Sequence, residues 1–250
     1  MLSAVRMLRT EIKGLDELIE GGFPDGSIIL LLGNPGTGIE TFAQQILYLR
    51  ALRAGKVAYF TIERSPRDIK EDMAIFGWDL NPLEEAGTWD FVDAYTSRLI
   101  GYYKKMGDKY QESEMGLSVS EPGALSTLRN ELTKRVDEKR WTVIDTLSHL
   151  LIMHDVKDIV DALGVFTMGV RDNGGLHFLI MIKGMHDPQT ITTMSHLADG
   201  VIEFQTKERA GIIVGAMRIM KMRRNLGSLK LIPYAVTDRG ITVETAVRIA

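Results

Sequence analysis

Apolar runs alternate along the chain with segments in which apolar residues recur at helical spacing. The first run, residues 27–32, is apolar without polar alternation, which is typical of a strand buried on both faces of a sheet. Residues 41–53 carry apolar side chains at helical spacing, and Gly55 follows as a glycine does after a helix. Because this alternation continues along most of the chain, it predicts an α/β fold with helices on both faces of parallel strands.

The remaining elements follow from the same two patterns. Compact apolar runs predict strands at residues 57–62, 88–92, 141–145, 176–182 and 200–204. Helical spacing predicts helices at residues 66–76, 122–140 and 158–170. Three runs separated by turns predict antiparallel strands at residues 211–219, 229–235 and 240–243. Residues 102–121 are charged and lack a clean period, so we predict a mobile insertion there, within one domain spanning residues 1–250.

A glycine turn joins the first strand to the first long helix. Its residues are Gly33, Asn34, Pro35, Gly36, Thr37 and Gly38. Glycines of this kind allow successive backbone N–H groups to point into one concavity, and the next helix presents its N-terminus to an anion. The full phosphate-loop signature continues with Lys and then Ser or Thr, which reach the outer phosphates and the magnesium ion. Here Ile39 and Glu40 hold those two positions.

Composition and charge exclude several other kinds of site. The chain has no Cys, which excludes disulfides, thiolate zinc sites, iron–sulfur clusters and cysteine nucleophiles. The formal net charge of −3 gives no overall basic field for nucleic acid. No apolar run approaches the ~20 residues needed to cross a bilayer, and we expect a cytoplasmic protein. No His-x-x-x-His pair occurs, so no metal site is expected among the histidines, which are His149, His154, His177, His186 and His196.

Several further segments resemble one family. Residues 10–18 (TEIKGLDEL) and 21–27 (GGFPDGS) are similar to the lead-in of RecA-superfamily ATPases of the KaiC-like branch. Residues 143–147 (VIDTL) resemble the magnesium-supporting Walker B strand of that branch, and residues 236–241 (VTDRGI) resemble its final turn. The resemblance covers almost the whole chain. It implies a RecA-like three-layer sandwich with a mostly parallel central sheet and antiparallel C-terminal strands.

The resemblance also implies roles for particular residues. The segment Glu63-Arg64-Ser65-Pro66 is similar to Glu-Glu-Ser-Pro in that branch, where acidic residues polarise the attacking water. By the same comparison Glu63 and Asp145 are candidate catalytic residues, and residues 33–40 are candidate nucleotide-binding residues. Lys221 and Arg223 resemble the basic pair that reaches the phosphates of a neighbouring subunit in KaiC-type rings. The resemblance therefore implies a homo-oligomer, either a ring or a dimer.

Three departures from the family pattern concern the charge at the phosphate site. Ile39 replaces a cation, Glu40 adds an anion, and Arg64 stands where the family often has a second carboxylate. Two unit charges ~4 Å apart interact by roughly 4 kcal/mol at an effective dielectric of ~20, so a carboxylate there should repel ATP. Phosphoryl transfer depends on positioned positive charge. We therefore expect no bound cofactor, weak or vestigial catalysis, and a scaffold or regulatory subunit acting by self-association or by binding a protein or peptide.

Other interpretations of the same residues stay open. Backbone N–H groups of the loop would still hold ATP if Glu40 ligated magnesium, which would give a weak ATPase. In another interpretation the Glu40 carboxylate takes the place of a phosphate group. It would then accept hydrogen bonds from those N–H groups, or form ion pairs with Lys221 and Arg223 of a neighbouring subunit. Asp145 and Glu63 would be simple strand-end carboxylates in a structural interpretation. The local basic excess in residues 207–230 suits a subunit interface or the nucleic acid of a DNA-associated RecA paralogue.

Overall fold

The structure, a computed structural model, describes residues 6–96, 124–209, 212–223 and 231–243. The strands are β1 (Met7–Leu8), β2 (Phe23–Pro24), β3 (Ser27–Gly33), β4 (Val57–Thr61), β5 (Trp89–Asp93), β6 (Trp141–Asp145), β7 (Leu176–Ile182), β8 (Gly200–Arg209), β9 (Ile212–Met222), β10 (Leu231–Thr237) and β11 (Gly240–Val243). The helices are α1 (Leu15–Leu18), α2 (Ile39–Leu52), α3 (Pro66–Ile75), α4 (Asn81–Glu85), α5 (Ala124–Asp137), α6 (Leu147–Met153), α7 (Val156–Asn173) and α8 (Pro188–Leu197).

Nine of the described strands form one sheet in the order β11-β10-β9-β8-β3-β7-β6-β4-β5. From β8 to β5 neighbouring strands are parallel, whereas β8, β9, β10 and β11 pair antiparallel in succession. The phosphate-loop strand β3 lies between β8 and β7, and all seven of its residues are buried. Parallel strands place their carboxyl ends at one edge of the sheet, and ligand sites of such sheets lie at that edge.

Two apolar clusters cover the two faces of the sheet. On one face β3, β4 and β6 contribute Leu31, Tyr59 and Val143, which pack with α2 and α3. On the other face Leu30 and Ile144 belong to a cluster formed with α5, α6, α7 and α8. Because successive residues of a strand point to opposite faces, each central strand supplies both clusters, and this explains its continuous apolar sequence.

The structure confirms the predicted α/β fold with a mostly parallel sheet and antiparallel C-terminal strands. Strands β6, β7 and β11 have the predicted bounds. Helix α2 begins two residues earlier than predicted, at Ile39, and β8 continues to Arg209 because its antiparallel partner β9 pairs along its length. The insertion predicted at residues 102–121 lies outside the described residues. No helix in the described ranges combines the length and hydropathy needed to cross a bilayer.

Two of the helices at the carboxyl edge were missed by the sequence patterns, and both begin at a side-chain cap. The Thr146 hydroxyl accepts a hydrogen bond from the His149 N–H at the start of α6. Asp187 accepts from the N–H groups of Gln189 and Thr190 at the start of α8, with Pro188 in the first turn. A capping side chain followed by proline is a sequence signal for a helix start. These caps, rather than apolar spacing, were the usable signal.

Candidate functional site

The glycine turn follows β3 at the carboxyl edge of the sheet. Gly36 and Gly38 have φ angles of +83° and +78°, in the left-handed region that glycine adopts without a steric penalty. Gly38 is also the N-cap residue of α2, and no side chain caps that helix. The sequence from β3 through the turn into α2 therefore has the strand, glycine turn and helix that a phosphate loop requires.

Thr37 braces the turn from inside. It is buried, its hydroxyl donates to the Asn34 carbonyl at 2.7 Å, and its backbone carbonyl accepts from the Tyr234 hydroxyl. On the neighbouring strand end, the Lys183 N–H donates to the Gly33 carbonyl at 2.9 Å. Contacts from β7 and β10 thus fix both ends of the turn.

The apolar side chain of Ile39 packs against the inner side of the turn. Its side chain is fully buried and belongs to the apolar cluster that contains α2. A Cβ added to Gly33 would lie 2.6 Å from the Ile39 Cγ2, so Ile39 packs directly on the Gly33 backbone. In the full signature a lysine at this position extends toward the outer phosphates. No ammonium comes from this position of the chain.

Glu40 brings a carboxylate to the first turn of α2. Burial raises its pKa, and the charge of Glu63 raises it further. A hydrogen bond from its own backbone N–H and the charge of Arg64 act in the opposite direction. Desolvation is the largest of these effects, so the Glu40 carboxylate sits where a negative charge is poorly stabilised.

Asp145, at the end of β6, is joined to α2 through a buried hydrogen-bonded chain. The Gln44 side-chain amide donates to the Tyr59 hydroxyl at 3.2 Å, and that hydroxyl donates to Asp145 Oδ2 at 2.6 Å. Burial raises the pKa of Asp145 to about 7, the Tyr59 hydrogen bond lowers it, and the charges of Glu40 and Glu63 raise it. The Asp145 carboxyl group therefore holds its proton to a much higher pH than an ordinary aspartic acid does.

Glu63 follows β4 and contacts the segment that follows β6. Its Oε1 accepts from the Thr146 hydroxyl at 3.1 Å and lies 3.2 Å from the His149 Nδ1. Glu63 is only partly buried. Because Thr61 and Asp145 are register partners on adjacent parallel strands, the pairing of β4 with β6 brings these groups together. The two candidate catalytic residues, Glu63 and Asp145, thus share one edge with the loop.

Arg64 turns away from the loop toward α3. Its guanidinium forms an ion pair with Asp72 at 2.6 Å and donates to the Asp68 carbonyl at 3.4 Å. Its charge still lowers the pKa of both Glu40 and Asp145. The charge of Arg64 therefore reduces the repulsion between the Glu40 and Asp145 carboxylates, although Arg64 forms no hydrogen bond to Glu40 or to Asp145.

Lys221 and Arg223 lie at the opposite edge of the sheet from the loop. Lys221 donates hydrogen bonds at 2.7–3.1 Å to three carbonyls at the end of α8, those of Ser195, His196 and Ala198. The Arg223 Nε lies 3.1 Å from Asp199, which also pairs with Arg171. The basic pair is thus engaged within its own chain, and any contact with a phosphate loop requires a second copy.

The sequence patterns missed three residues of this site. Tyr59 reads as an ordinary core residue of β4, although a buried tyrosine hydroxyl normally needs a partner, and that need was the available signal. Gln44 is polar on the apolar side of α2, which was a second such signal. His149 was predicted only not to bind a metal, and no pattern connects it with Glu63 because 86 positions separate them in the chain.

Several charged side chains lie near the loop at the carboxyl edge of the sheet. The carboxyl groups of Glu40, Glu63 and Asp145 influence one another's charge, and the nearby guanidinium of Arg64 is paired with Asp72. The ammonium of Lys183, which follows β7 beside Gly33, is paired with Glu203. In the described part of the chain no three His, Asp or Glu side chains are grouped so that they would hold a metal ion. Phosphate recognition at such a loop normally relies on a lysine and on a hydroxyl ligand of magnesium. Neither residue type occupies the two positions directly after Gly38, which hold Ile39 and Glu40.

Known proteins resemble this chain over nearly its full length. A family model described as "ATPase: KaiC" matches residues 8–247. A UPF0273 protein of Thermotoga maritima is 28% identical over 96% of both chains, and one of Aeropyrum pernix is 30% identical over 96% of this chain and 94% of its own. A crystal structure of a KaiC-like protein from Pyrococcus horikoshii superposes with a TM-score of 0.76 at 26% identity, covering 96% of this chain and 100% of the other. The chain belongs to the KaiC family of RecA-fold proteins.

Proposed function

We propose that this chain is a KaiC-family protein with a degenerate phosphate loop, which serves as a non-hydrolysing scaffold or regulatory subunit. The observation that carries the proposal is the exchange at the two positions after Gly38. There a fully buried Ile39 and a carboxylate stand in place of an ammonium and a hydroxyl.

Electrostatics supports the same conclusion. Burial raises the pKa values of Glu40 and Asp145, which indicates that the site already stabilises negative charge poorly. The phosphates of ATP would bring several more negative charges to this edge. Electrostatic stabilisation of developing charge is usually the largest contribution to catalysis, and here its sign is unfavourable.

A role in assembly or protein binding fits the rest of the surface. Large apolar side chains on the adjacent helices α6 and α7 are exposed, namely Ile152, Val165 and Met168. Large exposed apolar patches mark contact surfaces between proteins, and these side chains are candidates for such a surface. The KaiC relationship adds the expectation of self-association, and the loop edge and the Lys221 edge would meet only between two copies.

A weak ATPase is the second candidate, favoured by the intact arrangement of Glu63 with Thr146 and His149. That arrangement holds a carboxylate at the carboxyl edge, where the family polarises water. In this candidate the backbone of the glycine turn would retain the nucleotide.

Mass and turnover measured on the same purified sample test the proposal. We expect light scattering to give an assembly larger than a monomer without added nucleotide. We also expect no phosphate release from ATP above the blank, and an identical blank-level signal in Glu63→Gln. A monomer that assembles only with ATP, or release that disappears in Glu63→Gln, would favour the ATPase and contradict the proposal.

A further inference from the structure

A second concentration of polar groups lies at the amino edge of the sheet, opposite the glycine turn. A cavity of about 210 Å³ lies between the segment that begins with β1, the C-terminal end of α2 and the first residue of β6. Four arginines line it, with Glu11 as the carboxylate in the lining. The arginines are Arg6, Arg9, Arg50 and Arg53.

Arg50 is held in a fixed position in this cavity. Its guanidinium carbon lies 4.8 Å from the centre of the Trp141 ring, a cation–π stacking distance. A Cβ added to Gly55 would lie 2.1 Å from the Arg50 Nε, so the side chain passes directly over the glycine backbone. The guanidinium is therefore held by Trp141 and by a position where only glycine leaves enough room.

Arg50 also has an unused donor. Its Nε is buried and has no hydrogen-bond partner among the described residues. Burial lowers the pKa of Arg50 and the charge of Arg6 lowers it further, whereas the charge of Asp25 raises it. A buried donor without an acceptor is costly, and each such group in a folded protein requires an explanation. The Nε lies over the Gly55 backbone, which holds the guanidinium in place, and an anion in the cavity would supply the compensating charge at its terminal nitrogens.

The other three arginines are only partly neutralised. Arg53 pairs with Glu11 at 2.6 Å, and Arg9 and Arg6 lie 3.5 Å and 3.9 Å from Asp16 and Asp25 respectively. Each of these contacts involves one guanidinium nitrogen, whereas a guanidinium carries five N–H donors. The lining of the cavity thus keeps positive charge, and it offers guanidinium N–H donors that these ion pairs do not use.

We propose that this arginine cavity binds a compact phosphate group, with Arg50 as its anchor. The planar fork of a guanidinium matches phosphate oxygens, and clusters of arginine are the usual means of recognising them. The volume is below the roughly 300–1,000 Å³ of typical small-molecule pockets, so phosphate or pyrophosphate fits better than a whole nucleotide. Arg50 already covers the Trp141 face, so a nucleobase has no ring there on which to stack.

Calorimetric titration of the full chain at constant ionic strength tests this site with three probes: inorganic phosphate, pyrophosphate and ATP. We expect phosphate or pyrophosphate to bind. The Arg50→Gln variant keeps a polar side chain but removes the guanidinium and its charge, and it should weaken that binding by about tenfold or more. The control is Arg67→Gln, which removes an exposed charge on α3, and its affinity should equal that of the unmodified chain.

Three outcomes would overturn the proposal. The first is no binding of phosphate or pyrophosphate at millimolar concentration, and the second is binding of ATP but of neither smaller probe. The third is that Arg50→Gln and the unmodified chain bind phosphate or pyrophosphate with equal affinity. The last would place the anion elsewhere, for example at the glycine turn on the opposite edge. If thermal melting shows that Arg50→Gln does not fold, Arg53→Gln replaces it, since Arg53 is exposed and lines the same cavity. The same criteria then apply to Arg53→Gln.

Discussion

A variant carrying both Ile39→Lys and Glu40→Thr is expected to bind ATP with magnesium at micromolar concentration, at least about 100-fold more tightly than the unmodified chain. The double change removes one negative charge and adds one positive charge beside the glycine turn. It also supplies the ammonium that reaches the outer phosphates and a hydroxyl that can ligate magnesium. The turn itself is already built, because Gly36 and Gly38 adopt left-handed conformations and Thr37 is held by Asn34 and Tyr234.

A single variant, Glu40→Thr, separates the contribution of the carboxylate from that of the missing ammonium. Glu40→Thr alone should give a smaller gain, since it removes repulsion but leaves the buried Ile39 in place. A matched control makes the same kinds of change elsewhere, with Ile75→Lys and Glu71→Thr on the exposed side of α3. The control should show no gain, which would exclude a general effect of net charge. If calorimetry finds no gain in the double variant while its melting curve shows a folded protein, the account of the loop is wrong.

The free energy of unfolding of Asp145→Asn, minus that of the unmodified chain, is expected to rise by about 2–3 kcal/mol between pH 5 and pH 8. In the native chain burial raises the pKa of Asp145 to about 7, against an ordinary value of 3.8. Between those values the native state binds more protons than the unfolded state, so ionising Asp145 makes the native state progressively less stable as pH rises. Asparagine cannot ionise, and its side-chain oxygen still accepts from Tyr59.

Denaturant unfolding of both proteins across this pH range measures the difference. Asp161→Asn is the control, because Asp161 is an exposed acidic residue of α7. Its difference from the unmodified chain should stay flat with pH. A flat difference for Asp145→Asn as well would show that Asp145 is not a buried, poorly solvated carboxyl group. The carboxylate cluster would then offer less resistance to phosphate than we infer.

The central sheet was predictable because its signals are local. The run from Ile28 to Leu32 is continuous in apolar residues, and a strand buried on both faces requires that pattern. The antiparallel strands β9 to β11 were also predictable from turns between short apolar runs. Helices α6 and α8 were not, because α6 has only seven residues, most of them apolar, and α8 is mostly polar, so neither shows a clear helical period. The start of each is marked instead by a capping side chain.

The position of the site was predictable, but its internal contacts were not. Glu63 and Asp145 each follow or end a parallel strand, so their shared edge follows from topology. The hydrogen bond from Tyr59 to Asp145 joins residues 86 positions apart, and it depends on the register of β4 with β6. Lys221 illustrates the same limit at the other edge, where the end of α8 accepts its hydrogen bonds through backbone carbonyls that carry no sequence signature.

The most direct test of the proposed function is equilibrium titration of the unmodified chain with ATP and magnesium, alongside a metal-free series. Glu40 and the buried Ile39 predict no binding in either series up to millimolar ATP. Micromolar affinity that requires magnesium would contradict the account, because it would mean that Glu40 serves the metal and that the loop still holds a nucleotide.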